Sequence, residues 1–370
     1  MSRVEITAAS GKRALSEFVA FPYSFYRRDP LWAAPLRPDA RRLHSRDNPF
    51  FEHAEAGYFL ARYEGTLVGR IAAIHNRLHN EFHADRVGFF GFFQSVDDPE
   101  VAGALFDAAG AWLRTRGLDV MRGPASYSTN DEVGLLVDGF DTPPTLMMPY
   151  NPRYYPGLVE GAGFRKVKDL LAYQTTGGDL PPRLVEGTDL LRKRHRITTR
   201  SLRLRHFRDE IALIKRLYNA GWERNWGFVP MTDREIDHLA GQLKPIVVPQ
   251  IVPFAERNGE VIGFAAAIPD FNMALRTNPS GRFFPGIIRV TWSARKIARI
   301  RVLLLGTLPE WRGKGIDALL YRHIWEEGAR QGYTSAEAGW VLEDNHAMRN
   351  ALVRMGFEVS KTYRLYDRPL

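Results

Sequence analysis

The sequence predicts an α/β protein made of two similar halves. Three observations predict it. Strand-like runs alternate with helix-period runs, the order of these runs repeats once, and each copy closes on Gly-Phe followed by a strand. With 370 residues the chain is too long for one ordinary core and suits two domains.

Each half reads β, helices, β-hairpin, β, helix, β, helix, β. The aromatic stretch 18–36 parallels 214–231. FLARYEGTLVGRIAAI and VPFAERNGEVIGFAAAI are the hairpins, with Glu-Gly and Asn-Gly at their turns. The strand RVGFFGFFQSV precedes the helix VAGALFDAAGAWLRTRG, in which Val101, Ala104, Leu105, Ala108 and Trp112 share one face. The strand RIRVLLLGTLP likewise precedes IDALLYRHIWEEGARQG, with Ile316, Leu319, Leu320 and Ile324 on one face. Asn151 opens a helix-sized segment ending at Gly163-Phe164 and the strand RKVKDLLAYQT. Asn345 opens the matching segment ending at Gly356-Phe357 and the strand EVSKTYRLYDRPL. The paired Gly and Pro of QTTGGDLPPR mark the junction. The expected organisation is a first domain at 1–176, a linker at 177–196 that includes the basic run 192–196, and a second domain at 197–370.

Composition narrows the class. Hydrophobic residues at 45% and charged residues at 25% suit a globular protein. No apolar run reaches the roughly 18 residues that cross a bilayer. The beginning, MSRVEITAAS, lacks the apolar segment of a secretory signal. With no cysteine there is no disulfide, thiolate metal site or cysteine nucleophile, so a cytoplasmic location is expected. A net charge of +9 favours an anionic partner: CoA, nucleic acid or an anionic membrane surface.

The chemistry is expected where Leu303–Thr307 ends as a strand and Arg312-Gly-Lys-Gly-Ile-Asp317 opens a helix. Free N–H groups at a helix start form an anion site, to which the macrodipole adds about 0.3–2 kcal/mol. Gly313 and Gly315 allow close backbone approach to a phosphate, and Arg312 and Lys314 add charge. The first copy has the acidic Asp97-Asp-Pro-Glu100 at this point, which repels a phosphate. That half reads as having lost the cofactor, keeping a structural or acceptor-binding role.

Arg312-Gly-Lys-Gly-Ile-Asp317 after a strand resembles the R/Q-x-x-G-x-G/A acyl-CoA motif of the GNAT acetyltransferase superfamily, and Asn345…Gly356-Phe357 resembles that family's later N…GF segment. The likeness covers about residues 200–370 well and 1–175 as a degenerate copy. It implies two tandem GNAT-like domains, mixed twisted sheets flanked by helices. It also implies acyl-CoA as co-substrate, no metal, and a cofactor site made of Leu305, Gly306, Thr307, Arg312, Gly313, Lys314, Gly315, Ile316, Asp317 and Asn345. In the family, loop amides hold the pyrophosphate and the preceding strand polarises the thioester carbonyl. One such N–H is worth roughly 2.7–4 kcal/mol. Two positions depart from the pattern. Asp317 replaces a small residue, which requires it to point away or cap the helix. Leu352 stands where many members have the tyrosine that protonates the departing thiolate. The acid is then Tyr363, Tyr366 or a water, or none is needed.

An alkyl amine acceptor must shed a proton, at a cost of about 4.6 kcal/mol at pH 7. The candidate bases are Glu337 and Glu343, on one face of SAEAGWVLEDN, and Glu223, between aromatic residues. Each is equally readable as a salt-bridged or exposed carboxylate. Ser126–Glu132 is a dense polar cluster best explained by turn chemistry. His44, His53, His75, His79 and His83 show no HExxH pattern, so no metal is expected.

Residues 271–299 form an insert that mixes Phe283, Phe284, Ile287, Ile288 and Trp292 with Arg282, Arg289, Arg295, Lys296 and Arg299. Such a mixture suits anionic lipid, a wall for a long acyl chain, or a core helix with a solvated basic face. The whole-chain pattern is similar to bacterial tandem GNAT proteins, including bacterial ceramide synthases, which N-acylate a sphingoid base from a long-chain acyl-CoA. That resemblance implies an N-acyltransferase acting on a lipid-like amine such as a sphingoid base, peripheral on the inner face of the cytoplasmic membrane. The alternatives are an acetyltransferase for a small polar amine, an aminoacyl transferase fed by charged tRNA, and a non-catalytic module that binds acyl-CoA or lipid. No nucleic-acid motif accompanies the charge, so nucleic acid is not the expected partner.

Overall fold

The computed structural model describes residues 4–222 and 225–370. In chain order, β1 (Val4–Ala8) leads to helices α1 (Lys12–Phe25) and α2 (Arg37–Leu43), then to the hairpin β2 (Ala54–Tyr63) and β3 (Thr66–Asn76). Next come α3 (Arg77–His83), β4 (Val87–Ser95), α4 (Pro99–Arg114), β5 (Val120–Gly123), β6 (Leu135–Asp138), α5 (Tyr155–Gly161) and β7 (Arg165–Thr175). The chain continues through α6 (Pro182–His195), β8 (Ile197–Ser201), α7 (Phe207–Trp222), α8 (Asp233–Leu243) and the hairpin β9 (Pro253–Arg257) and β10 (Glu260–Pro269). It ends with α9 (Asn272–Leu275), α10 (Gly286–Ala294), β11 (Arg299–Thr307), α11 (Ile316–Arg330), β12 (Ser335–Leu342), α12 (His346–Arg354) and β13 (Glu358–Pro369).

Two compact units result, and the chain crosses between them more often than the sequence suggested. The first holds the chain up to Leu170, Asn272–Ser293 and Lys361–Leu370; the second holds Leu171–Phe271 and Ala294–Ser360. The expected division at 177–196 differs from the observed one in three segments: residues 171–176 fall in the second unit, while part of the insert and the last ten residues belong with the first. Local contacts explain the last two. Arg37 donates to the carbonyl of Ser280 at 2.9 Å, and residues 366–369 of β13 pair antiparallel with β5.

In the first unit β1, β2, β3 and β4 pair antiparallel in succession, and β4 pairs parallel with β5. Helix α4 makes the crossover that a parallel pair needs. Its buried residues are Val101, Ala102, Leu105, Phe106, Ala109, Gly110 and Leu113. The apolar face is thus turned from the expected one: Ala104, Ala108 and Trp112 are only half-buried. Phe106 and Leu113, which the expected stripe omitted, take the core positions beside Phe90 and Phe164.

The second unit repeats the plan. β8, β9, β10 and β11 pair antiparallel, β11 pairs parallel with β12, and α11 makes the crossover. Ile316, Leu319, Leu320 and Ile324 are all buried in its core, as their spacing predicts. Both hairpin turns carry two residues with positive φ, Glu64-Gly65 and Asn258-Gly259, the conformation that a tight two-residue turn requires.

The expected linker is largely the helix α6, started by Pro182 and carrying the basic residues 192–195 in its last turn. It is held by the buried Arg322 of α11, which donates to Asp189 at 2.7 Å, Thr188 at 2.7 Å and the Val185 carbonyl at 3.0 Å.

Candidate active site

Strands β11 and β12 are both longer than their shared ladder. Parallel pairing runs from Arg299↔Ser335 to Val302↔Ala338 and then stops. Beyond it β11 continues to Thr307 and β12 to Leu342. The register of β11 on β10 shifts between Ala266 and Ala267, so that Val302 and Leu304 face consecutive residues and Leu303 is the extra one. A bulge bends and twists its strand, and here it carries β11 away from β12. The resulting gap is a cavity of about 340 Å³, lined by Val302–Thr307 on one side and Ala338–Leu342 on the other. That volume lies within the roughly 300–1,000 Å³ of small-molecule sites.

One end of the cavity opens on the glycine loop. After β11 the chain makes a 3-10 turn at Pro309–Trp311, and α11 starts at Ile316 with Gly315 as its N-cap, which forms no side-chain cap bond. Gly313 has φ 68° and Gly315 φ 80°, the left-handed region that other residues enter only at a cost. A helix start without a side-chain cap leaves its N–H groups available to an anion.

The matching helix of the first unit is closed. Asp98 caps α4, its carboxylate accepting from Glu100 N at 2.8 Å and Val101 N at 3.5 Å. The protein's own anion occupies the position that a phosphate would need, and Glu100 adds negative charge in the first turn.

The expected cofactor residues divide into two groups. Leu305, Gly306, Thr307, Arg312, Gly313, Asp317 and Asn345 line the cavity. Lys314, Gly315 and Ile316 do not: Lys314 lies 4.8 Å over the Trp311 ring, Gly315 turns the chain into the helix, and Ile316 is buried in the core. Arg312 also has a second task, donating to the carbonyls of Ala220 and Gly221 at 2.9 and 3.0 Å. Cations at a helix C-terminus are favoured, so Arg312 secures the end of α7 against the loop. Asn345 caps α12, accepting from Met348 N at 3.1 Å. Trp222 donates its indole N–H to the Leu305 carbonyl at 3.0 Å, inside the cavity.

Asp317 neither caps α11 nor points away. It lines the cavity together with Tyr321, one turn further along the same helix. The Tyr321 hydroxyl reaches the Met348 sulfur at 3.6 Å. Burial, reinforced by the Asp317 carboxylate, raises the phenol pKa, so the group remains a proton-bearing donor. Sequence reading missed Tyr321 because it follows Leu319 and Leu320 and reads as part of the core stripe. Its spacing of four from Asp317 was the available signal. Leu352, at the family's tyrosine position, is fully buried in the core.

The expected base and acid residues lie elsewhere. Glu337 is buried within the paired part of β12, opposite Arg301 in register, and does not line the cavity. Glu343 does not continue the face of Glu337: β12 stops at Leu342, Glu343 stands in the following turn, and its carbonyl accepts from Arg349 at 2.6 Å. Glu223 lies outside the described residues. Tyr363 and Tyr366 are buried in the first unit; Tyr363 pairs with Leu136 in the sheet, and Tyr366 donates to Glu160 at 3.0 Å.

Among the described residues no group of three His, Cys, Asp or Glu is placed to hold a metal. Ser126–Glu132 is a turn, with Ser128 donating to Asp131 at 2.9 Å. At its centre Tyr127 is buried with φ 91° and bonds to both His44 and Tyr58, a buried chain that composition did not reveal. No helix among the described residues is long and apolar enough to cross a membrane.

A splayed parallel strand pair, a helix start without a side-chain cap and a cavity joining them form a site with the layout of an acyltransferase. Residues 211–357 match the model of the Acetyltransferase (GNAT) family. The chain is 36% identical to Protein YghO of Escherichia coli (strain K12), over 97% of this chain and 94% of that one. It is 34% identical to a bacterial ceramide synthase of Caulobacter vibrioides, over 96% and 95%. The fold is shared with a GCN5-related N-acetyltransferase from Sphaerobacter thermophilus (TM-score 0.57, 14% identity, 100% of this chain and 96% of that). It is shared also with a tandem GNAT protein from the clavulanic acid biosynthesis pathway (TM-score 0.59, 10% identity, 99% and 98%). The chain belongs to the GNAT family and is an acyltransferase with tandem GNAT domains, a fold that binds acyl-CoA.

Proposed function

We propose that this protein transfers a long-chain acyl group from acyl-CoA to a lipid-like amine, a sphingoid base being the favoured acceptor and an anionic membrane surface its source. The observation that carries the reading is the gap between β11 and β12, whose apolar wall of Leu303–Leu305, Val341, Leu342 and Met348 lies beside a helix start without a side-chain cap. The likeness to a ceramide synthase along nearly the whole chain supports the choice of acceptor.

The residues suggest the following chemistry. The N–H groups of Gly313 and of the helix start at Gly315–Asp317 take the pyrophosphate, and the pantetheine runs along β11, displacing the Trp222 indole from the Leu305 carbonyl. The neutral amine attacks the thioester carbonyl carbon, and a backbone N–H of Leu305–Thr307 stabilises the oxyanion. The C–S bond then breaks. Tyr321 gives its hydroxyl proton to the thiolate, and the proton lost by the amine restores the phenol, so no net proton is consumed. Asp317 is the one carboxylate among the described residues of the cavity wall and is the candidate to carry that proton.

Thiol release tests this. The chain has no cysteine and so contributes no background. Acetyl-, octanoyl- and palmitoyl-CoA are each supplied with and without a sphingoid base. Base-dependent release from palmitoyl-CoA, with the amide found by mass spectrometry, is expected. Release from acetyl-CoA alone with a small polar amine would overturn the lipid reading, and saturable CoA binding without release from any donor would overturn the enzymatic one.

A further inference from the structure

Ten large apolar side chains stand exposed among the described residues, and five of them fall between Met273 and Trp292. Single exposed apolar residues are ordinary, but a cluster marks an interaction surface. Phe283, Phe284, Ile288 and Trp292 are 53%, 73%, 60% and 59% exposed. Ile288 and Trp292 are one turn apart on α10, with Phe283 and Phe284 just before it, while Gly286 and Val290 face inward.

The segment is firmly seated at its base. Arg37 N donates to the Gly281 carbonyl at 2.8 Å and Arg276 to Pro30 at 3.0 Å. Buried Asn272 donates to Pro144 at 3.1 Å, and buried Asn278 to Arg282 at 2.8 Å. The aromatic tip is therefore held outward by a fixed base. Its charge is one-sided: between Asp270 and Glu310 there is no acidic residue, while exposed Arg282 and Arg289 flank the tip.

We infer that the Phe283–Trp292 face docks on an anionic lipid bilayer, the aromatic and aliphatic side chains entering the interface while Arg282 and Arg289 meet lipid phosphates. Its purpose rests on the lipid-acceptor reading, since a docked enzyme takes its amine from the membrane. A protein partner that matched this basic rim would meet no acidic residue of this stretch to fix its register, whereas lipid phosphates need only the positive charge.

The test is co-sedimentation of the full chain, without substrate, with vesicles of phosphatidylcholine alone and with one third phosphatidylglycerol. Binding to the anionic vesicles, weakened by salt, is expected. F283S/F284S, and independently I288S/W292S, are expected to reduce that binding by about tenfold or more, and R289E to reduce only the salt-sensitive part. All these positions are exposed, and thermal melting confirms that each variant is folded. Release of thiol from palmitoyl-CoA with a short water-soluble amine is expected to be unchanged. Absence of vesicle binding by the native chain, or unchanged binding by both double variants, would overturn the inference. So would a native dimer that the variants convert to monomer with vesicle binding intact, which would make the face a self-interface. Vesicle binding without acylation of a sphingoid base would remove the acceptor reading and leave the docking face standing.

Discussion

Replacing Tyr321 by Phe removes one oxygen from the cavity wall and little else. Among the described residues its hydroxyl bonds a thioether sulfur at 3.6 Å, a weak acceptor, so stability is expected to change by less than about 1 kcal/mol. The effect on turnover is larger. An alkyl thiol ionises near 8.5, so a thiolate released at pH 7 without a proton is about 1.5 units out of balance, or about 2 kcal/mol. Loss of the donor is therefore expected to lower kcat about 30-fold at pH 7, somewhat below the roughly 100-fold or more typical of general acids. Because burial and Asp317 hold the phenol protonated, this group produces no alkaline limb below its ordinary value of 10.0. The pH profile separates this role from a structural one. At pH 9.5 the thiolate leaves without help, and the deficit of Y321F is expected to shrink to a few-fold. A deficit that stays constant across pH, or turnover within twofold of the native chain at pH 7, would refute Tyr321 as the donor.

Three further outcomes are expected. Gly315→Ala places a side chain in the left-handed region 3.3 Å from Leu191; a loss of about 1–2 kcal/mol in melting experiments together with weaker CoA binding is expected, and unchanged CoA affinity would count against the loop as the phosphate site. Asp98→Ala removes the α4 cap and is expected to cost about 1 kcal/mol with the KM for acyl-CoA unaltered; a changed KM would give the first unit a part in cofactor binding. His44 and His79 are each lowered by burial from 6.5 to about 3, with Arg70 adding to the first and His83 and Arg122 to the second. A depressed histidine value means that the folded state excludes a proton which the unfolded chain accepts, so this contribution is intact above pH 6.5 and is lost progressively as pH falls towards 3. Urea unfolding of His44→Gln is expected to show lower stability at pH 7 but a shallower loss between pH 6.5 and 4, and an unchanged acid slope would refute the assignment.

The parts of the fold legible in the sequence are those set by local periodicity. The hairpins at Glu64-Gly65 and Asn258-Gly259, strands β4 and β11, and helix α11 follow from alternation, turn residues and an apolar stripe. Helix α6 was hidden because only Thr188 among its residues is buried; Leu184 and Leu191 pack against the core but make a sparse stripe, and the polar contact with Arg322, more than a hundred residues away, leaves no periodic trace. The exchange of residues 361–370 was hidden for a similar reason, since alternation identifies a strand but not its neighbour. At the site, the glycine loop was legible because its chemistry is local. The gap beside it depends on one extra residue in β11, Leu303, and a bulge has no signature in an unbroken run of leucines. Without the gap in view, only its spacing of four from Asp317 distinguished Tyr321 from its core neighbours.

The two units pose one physical question twice and answer it in opposite ways. Each carries a parallel pair crossed by a helix, and each helix start has N–H groups that need an acceptor. In the first unit Asp98 supplies that acceptor from within the chain, which stabilises α4 and closes the site. In the second, Gly315 supplies none; the strand before each helix carries a register shift, opposite Arg70–Ala72 in the first unit and at Leu303 in the second, so the cap is the difference at the helix start. A helix start without a side-chain cap is a standing cost that a bound phosphate offsets, so the second unit gains stability on taking its cofactor while the first has nothing to gain. Acyl-CoA should therefore raise the melting temperature through the second unit alone, by an amount set by RT ln(1 + [L]/Kd). Were Asp98→Gly to add a second, equal increment at high CoA, the closure of the first unit would reside in that one carboxylate; no added increment would mean that its paired strands close the site as well.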